Sequence, residues 1–351
     1  MFQHFVVKNF RGFAGLHLKN LARVNLIAGK NNTGKTALLE AIHLHNNPGD
    51  WQLPITINKS RGIDDPAKAM EDVCGWLFYY KHGQGGLDLS SWDEKGITRT
   101  LTIYILDPVT SRERYPDAEK ILIGMAVGSR LVLKYEQTNE REQISIGAIS
   151  NAPGTGLSWV GARVTWNMPS VYLSSSVVAS AQDVKFFGEL EGAKRHDEIL
   201  PPLRILEPRL QRLALIPIAG DPVIHGDIGL PRLLPVPFMG EGMRRVLSLV
   251  LAIANAPGGV VLIDEVENGL HYSVMKDVWK AIGSAARQAN VQIFATTHSW
   301  ECIQAAHHAF KENGPYELGY YRLDRVDHGI VVKSMDEQNL TRVEFTDLEI
   351  R

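Results

Sequence analysis

The eight residues Gly29-Lys30-Asn31-Asn32-Thr33-Gly34-Lys35-Thr36 read GxxxxGK[ST], and they lie between a short apolar run, Val24 to Ala28, and a run of helical spacing from Thr36 to Ile42. That order of strand, glycine-rich turn and helix narrows the chain to an α/β fold in which a buried strand delivers the turn to a sheet edge. Backbone N–H groups of such a turn, with the free N–H groups that open the helix, face a bound anion, and the helix dipole favours negative charge there. Gly29 and Gly34 let the backbone approach the anion, and Asn31, Asn32, Thr33 and Ala37 complete the expected cradle. Lys35 would place a point charge between the β- and γ-phosphates of a nucleotide, and the Thr36 hydroxyl would ligate Mg²⁺. ATP and Mg²⁺ are therefore the expected ligands; the competing reading is a glycine-rich connection that binds nothing.

A second segment gains meaning from the first. Val260-Val261-Leu262-Ile263-Asp264-Glu265 is four apolar residues followed by two carboxylates. A buried strand would carry Asp264 to the Mg²⁺ shell, and Glu265, one residue on, would polarise an attacking water. Taken alone, the run also reads as a core strand ending in surface acids.

Between and around these segments the periodicity changes. Phe5-Val6-Val7 and Gly15 to Leu18 read as a hairpin about the turn Asn9 to Gly12. Residues Asn46 to Ala67, rich in Pro, Gly, Asn and Asp, read as a long surface loop. Thr98 to Leu106, Arg130 to Tyr135, Gln143 to Ile149 and Ser170 to Leu173 read as strands of one antiparallel lobe. The charged stretch from Ala181 to Leu213 has helical spacing interrupted at Pro201-Pro202 and Pro208. The last third alternates: helix from Glu241 to Asn255, strand Gly259 to Ile263, helix from His271, strand Val291 to Ala295, helix from Ser299, then a closing hairpin of Tyr316 to Leu323 with Gly329 to Lys333.

Five segments together, NFRGF from Asn9, GKNNTGKT from Gly29, MGEGMRRV from Met239, LIDEVENGLH from Leu262 and ATTHS from Ala295, resemble the RecF-, SMC- and OLD-like ABC-type ATPases, most of all the OLD-like "AAA family" proteins. The resemblance implies a P-loop ATPase head with an antiparallel β lobe and an inserted mixed segment. It implies a signature turn at Gly240, Glu241 and Gly242 that meets the γ-phosphate bound to a second copy, so that two heads sandwich two ATP molecules. Here Gly240 stands where the usual serine would be, and His271 replaces an acid in the D-loop. The resemblance further implies that His298 is the switch histidine that senses the γ-phosphate, and that Arg11 reaches nucleotide phosphate; a histidine capping the next helix and a solvated turn arginine are the alternatives. The Q-loop glutamine is not placed, with Gln84 and Gln182 as candidates.

The 351-residue chain is read as one head: residues 1–45 as N-terminal strands and phosphate loop, 46–230 as β lobe and helical insertion, and 231–351 as signature turn, Walker B strand, switch histidine and closing strands. With 44% hydrophobic and 22% charged residues and a net charge of −2, composition neither requires nor excludes a nucleic-acid partner. Two distant cysteines, Cys74 and Cys302, suggest neither disulfides nor a thiolate metal site, and no apolar run approaches a membrane span, so a cytoplasmic protein without membrane association is expected. Arg204, Arg209 and Arg212 on a predicted helix, with Arg232, Arg244 and Arg245 beside the signature turn, form either a solvated charged face or a phosphate-binding face for DNA. His43, His45, His225, His307 and His308, and Trp159, Trp166, Trp279 and Trp300, read as packing residues.

The stretch after His298 is too short for another α/β domain of ordinary size, so no intrinsic nuclease is expected. The expected function is that of an ATPase that dimerises on ATP and regulates a separate effector, in prokaryotic defence. The alternatives are a RecF-like repair ATPase on DNA and a nucleotide-gated scaffold with little turnover.

Overall fold

The computed structural model describes residues 1–63, 70–81, 86–106, 130–138, 143–152, 156–161, 164, 168–175, 180–312, 314–327 and 329–344. In chain order these form β1 (Phe2–Phe10), β2 (Phe13–Lys19), β3 (Val24–Ala28), α1 (Lys35–Asn46), α2 (Leu53–Lys59), α3 (Met70–Cys74), β4 (Leu87–Asp93), β5 (Thr98–Leu106), β6 (Arg130–Thr138), β7 (Gln143–Ala152), β8 (Gly156–Gly161) and β9 (Ser170–Leu173). There follow α4 (Ser180–Gly192), α5 (Leu200–Leu203), β10 (Arg212–Ile218), β11 (Asp221–Asp227), β12 (Leu234–Pro235), α6 (Glu241–Ala254), β13 (Val260–Ile263), α7 (Tyr272–Gln288), β14 (Gln292–Thr297), α8 (Trp300–Glu312), β15 (Leu318–Val326), β16 (Gly329–Met335) and α9 (Glu337–Glu344).

A strand that is apolar at successive positions needs cover on both faces, and β3 is buried along its whole length. It lies third in a six-stranded sheet of order β16-β15-β3-β14-β13-β9. The pairs β15–β3, β3–β14, β14–β13 and β13–β9 are parallel, and β16 closes one edge antiparallel to β15. On one face Val24, Leu26, Val261, Ile263 and Ile293 pack against the buried stripes of α6, α7 and α8. On the other, Ile27, Val260, Leu262 and Phe294 pack against α1 and the inner residues of a seven-stranded antiparallel sheet of order β2-β1-β4-β5-β6-β7-β8. The parallel sheet is thus the shared middle layer. Gln292 ties the layers together, since its amide accepts from Phe2 N at 2.8 Å and donates to Phe2 O at 2.9 Å.

The helices follow from their sequences. In α7, Met275, Val278, Trp279 and Ile282 recur at three- and four-residue spacing and are buried, forming one apolar stripe. Gly283 admits the ring of Phe310 from α8, which lies 3.1 Å from where a Cβ would stand.

Three local expectations are corrected. Residues 53–59, read as loop, form α2, because Leu53, Pro54 and Ile57 find a buried face despite polar neighbours. Ser170–Leu173 pairs parallel with β13 and so belongs to the middle sheet rather than to the antiparallel lobe; four residues without alternation carry no mark of their partner. Arg204, Arg209 and Arg212 do not share a helix: Arg204 follows α5 and Arg212 opens β10. Residues 212–235 instead form a small sheet of order β10-β11-β12, turned at Ala219 and Gly220, both at positive φ. Pro217 and Pro222 face each other in that hairpin and mask its strand pattern.

Candidate active site

Parallel strands present their carboxyl ends on one side, where the loops that follow can converge on a ligand. Ile263 of β13 is level with Leu173 and Ala295, and Ala28 of β3 with Thr297. The turns after β3, β9, β13 and β14 therefore open along a single edge. A cleft of about 1220 Å³ lies there, bordered by Asn31, Asn32, Gly34, Lys35, Thr36 and Ala37 from the glycine-rich turn, by Asp264 and Glu265, and by Tyr172, Ser174 and Ser175.

The turn itself is shaped by glycine. Gly29 has φ 152°, and a Cβ there would stand 2.7 Å from Leu323 O; Gly34 has φ 90°, and a Cβ would meet the Phe13 ring at 2.8 Å. Gly34 caps α1 without any side-chain hydrogen bond, leaving the first N–H groups of the helix directed at the cleft. Thr33 Oγ1 donates to Lys30 O at 2.8 Å, and Lys35 Nζ donates to Gly29 O at 2.7 Å and Lys30 O at 3.0 Å. Burial holds the Lys35 ammonium below its usual pKa, opposed by Glu267, Asp264 and Glu265.

The two acids at the end of β13 are held differently. Asp264 accepts from Thr36 Oγ1 at 3.0 Å and from Thr296 Oγ1 at 2.6 Å. Thr296 Oγ1 in turn accepts from Glu265 N at 2.8 Å. Glu265 sits at φ 47°, a left-handed position costly for a non-glycine residue, and its carboxylate accepts from Asn268 Nδ2 at 2.7 Å. Glu265 borders the cleft beside Asp264.

Arg11 also borders the cleft. Its Nε lies 2.8 Å from Glu40 Oε2 and its Nη2 donates to Asn58 Oδ1 at 3.2 Å, while Arg61 Nε lies 2.9 Å from the other Glu40 oxygen. Burial lowers Arg11 to about 10 against the favourable field of Glu40. Two guanidinium groups thus share one buried carboxylate on α1, the helix that begins at the phosphate loop.

Other expected residues stand outside the cleft. His298 follows β14, is 49% exposed, and places Nδ1 3.1 Å from Glu267 Oε1. Gly240, at φ 103°, opens α6 with no atom of the described residues beyond its chain neighbours within 4 Å of its missing Cβ, and Gly242 follows in the first turn. Glu241 is drawn onto Arg244 and lies against Gly269 of the D-loop turn. Gln182 lies on α4, partly buried, and Gln84 and Trp166 lie outside the described residues.

Among the described residues, the histidines and tryptophans named as packing residues have ordinary partners. His43 stacks on Tyr172 and is pushed down to about 4 by burial, His45 is buried likewise, and Trp159 stacks on Trp51. Among the described residues no cluster of three or more His, Cys, Asp or Glu stands ready to hold a metal. The Thr36 hydroxyl and the Asp264 carboxylate, 3.0 Å apart beside the phosphate loop, nevertheless suit Mg²⁺, which takes one or two protein oxygens and completes its shell with phosphate and water.

Sequence reasoning passed over Thr296, Glu267 and Glu40, although the first two fall inside recognised segments, because a motif does not state which hydroxyl or carboxylate braces which. Ser174 and Ser175 gain a place beside the cleft only because β9 lies in the parallel sheet, which its four residues do not announce.

Residues 106–301, more than half of the chain, match the family described as "AAA domain, putative AbiEii toxin, Type IV TA system". The chain belongs to that family. This AAA-domain protein is also similar over nearly its whole length to an ATP/GTP phosphatase of Helicobacter pylori, 22% identical with 97% of each chain covered. An uncharacterized protein of Methanocaldococcus jannaschii is 36% identical over 87 residues, 24% of this chain and 76% of that protein. Among solved structures, a crystal structure of the SmcHead bound to the C-winged helix domain of ScpA matches with TM-score 0.50 at 12% identity, covering 97% of this chain and 99% of that one. The likeness is one of fold: the AAA-domain protein has the ABC-type P-loop ATPase architecture, with its antiparallel sheet laid on a parallel one.

Proposed function

We propose that this AAA-domain protein hydrolyses ATP with Mg²⁺ and uses the cycle to close and open a dimer of two copies. The observation that carries the reading is the meeting of Lys35, Thr36, Asp264 and Glu265 in one cleft, with Thr36 and Asp264 in direct hydrogen bond across more than two hundred residues of chain. Lys35 would leave the carbonyls of Gly29 and Lys30 for the β- and γ-phosphates, which offer stronger, charged acceptors. Mg²⁺, when bound, would neutralise charge on the phosphates. Asp264, held by Thr296, would stay aligned toward the Thr36 side of the cleft. Glu265 would orient the attacking water and take its proton. The full-length similarity to an ATP/GTP phosphatase supports turnover, and GTP is a second substrate to be tried.

Dimerisation is supported by where the apolar surface lies. Phe238, before the signature turn, is 76% exposed and Tyr272, after the D-loop, is 69% exposed. Two large exposed aromatics flanking an uncovered, glycine-led helix start suit a second copy, whose bound γ-phosphate would meet the N–H groups of residues 240–242. His298, exposed at the end of β14, would sense the γ-phosphate of the nucleotide held by its own chain. The toxin–antitoxin wording of the family description supports control of a separate effector in prokaryotic defence, the role we infer for the closed dimer. The DNA reading draws less support, because Arg209, Arg212 and Arg244 are paired with Glu207, Asp227 and Glu241.

The test is ATP hydrolysis together with mass in solution for the natural chain, Lys35→Ala and Glu265→Gln. Lys35→Ala is expected to lose nucleotide binding. Glu265→Gln is expected to slow turnover by about a hundredfold or more, the scale of a lost general base, while accumulating an ATP-bound dimer. A natural chain that binds no nucleotide would sink the reading; one that binds without turnover would replace it with the scaffold.

A further inference from the structure

One carboxylate close to the cleft takes no part in the proposed hydrolysis. Glu267 follows Glu265 by two residues, and its side chain is only 10% exposed. Its Oε1 accepts from Thr297 Oγ1 at 2.8 Å and from the backbone N–H of His298 at 2.8 Å, and the same oxygen lies 3.1 Å from His298 Nδ1. Its Oε2 is buried with no hydrogen-bond partner among the described residues. The charges of Lys35 and Arg245 lie within the electrostatic reach of Glu267.

We infer that Glu267 is the positioning residue of His298 in the ATPase reaction, an assignment that rests on the proposed function. A carboxylate oxygen that already accepts two hydrogen bonds is an acceptor toward the ring as well, so Nδ1 carries the hydrogen and Nε2 is left without it. In that tautomer Nε2 is a lone pair. A γ-phosphate oxygen can therefore meet Nε2 only through a donor between them, such as the attacking water, and the carboxylate on Nδ1 fixes the orientation of the ring, as the orienting carboxylate does in a catalytic triad. Glu267 also ties the turn carrying Glu265 to the end of β14, so the water-orienting acid and the phosphate-sensing ring move as one unit.

The structural and the chemical roles separate in one substitution. Glu267→Gln keeps an amide oxygen for the His298 N–H and the Thr297 hydroxyl, removes the charge, and puts an NH₂ group in place of the unpartnered Oε2. The expected result is unchanged ATP affinity with kcat lowered about tenfold, the low end for loss of an orienting carboxylate behind a working ligand, and no further loss beyond about twofold when Glu267→Gln is added to His298→Ala, because the carboxylate acts through that ring. Unchanged turnover in Glu267→Gln, or losses that multiply in the double variant, would leave Glu267 a brace and overturn the inference. A second readout is independent of turnover. Nitrogen-15 spectra of the imidazoles, with His298 assigned by its loss in His298→Ala, are expected to show the Nδ1–H form in the natural chain and a shift toward Nε2–H in Glu267→Ala; an Nε2–H ring in the natural chain overturns it. Should the natural chain hydrolyse no ATP, the proposed reaction fails, while the spectra still decide whether Glu267 sets this ring.

Discussion

The phosphate loop and the signature turn are both glycine-led helix starts without a side-chain cap, yet the chain treats them in opposite ways. Around Gly34 the protein is closed: Phe13 and Ile330 press on the space a Cβ would take, and Lys35 is held by two carbonyls of its own loop. At Gly240 no atom of the described residues beyond its chain neighbours lies within 4 Å of where a Cβ would stand, and the nearby Phe238 is exposed. A turn braced on every side is a finished half of a site. A turn of the same kind left open is, in the function proposed above, the half that a second copy would complete.

The strongest way to break this comparison is to add one methyl group to each turn. Gly34→Ala forces a left-handed residue against the Phe13 ring and is expected to cost roughly 2–4 kcal/mol of stability, from backbone strain plus overpacking, with loss of nucleotide binding. Gly242→Ala meets nothing closer than Val274 at 3.8 Å; its stability is expected to change by less than about 1 kcal/mol, its monomer to bind ATP normally, and its turnover to fall because a second copy can no longer approach. Denaturant unfolding and fluorescent-nucleotide binding measure both. If Gly242→Ala loses ATP affinity as Gly34→Ala does, the signature turn belongs to its own chain's site.

A smaller effect is expected at the rim. Phe238→Ala combined with Tyr272→Ala should weaken ATP-dependent dimerisation by about tenfold or more, the scale of a lost aromatic anchor, with the monomer's unfolding free energy shifted by no more than about 0.5 kcal/mol. Sedimentation with Glu265→Gln as the trapped background gives the dissociation constant. Unaltered dimer affinity would remove the apolar rim from the interface.

The smallest effect sharpens the view of what stands behind the signature helix. Asp183 of α4 is pushed up to about 6 by burial, even though Ser248 of α6 donates to it at 2.6 Å and Arg244 and Arg245 favour its charge. A carboxyl whose folded pKa exceeds its unfolded one holds its proton better in the native state. Its contribution is therefore most favourable below the unfolded value and declines as pH rises toward about 6. Asp183→Asn should accordingly stabilise the protein at pH 8 by roughly 1–2 kcal/mol, since each tenfold change in proton affinity is worth about 1.4 kcal/mol and relaxation absorbs part of it, with the gain shrinking toward pH 4. A gain that is the same at both pH values would assign the effect to packing rather than to charge.

Much of this was legible in the chain itself. The run Val24 to Ala28 is apolar at every position but Asn25, which suits a strand covered on both faces, and the glycine spacing after it marked a tight turn into a helix, of the kind that can face an anion. The residues that would touch phosphate or metal were readable because that chemistry demands particular side chains at fixed local spacing. Which partners hold those residues in place was not. Glu40 shared between Arg11 and Arg61, Thr296 bridging Asp264 and the Glu265 N–H, and β9 lying beside β13 all join positions far apart in sequence. Local pattern determines which face of a strand is apolar and where a helix begins; only packing decides which distant strand covers that face and which distant donor satisfies a buried carboxylate, since that choice is made by burial and hydrogen bonding over the whole molecule at once.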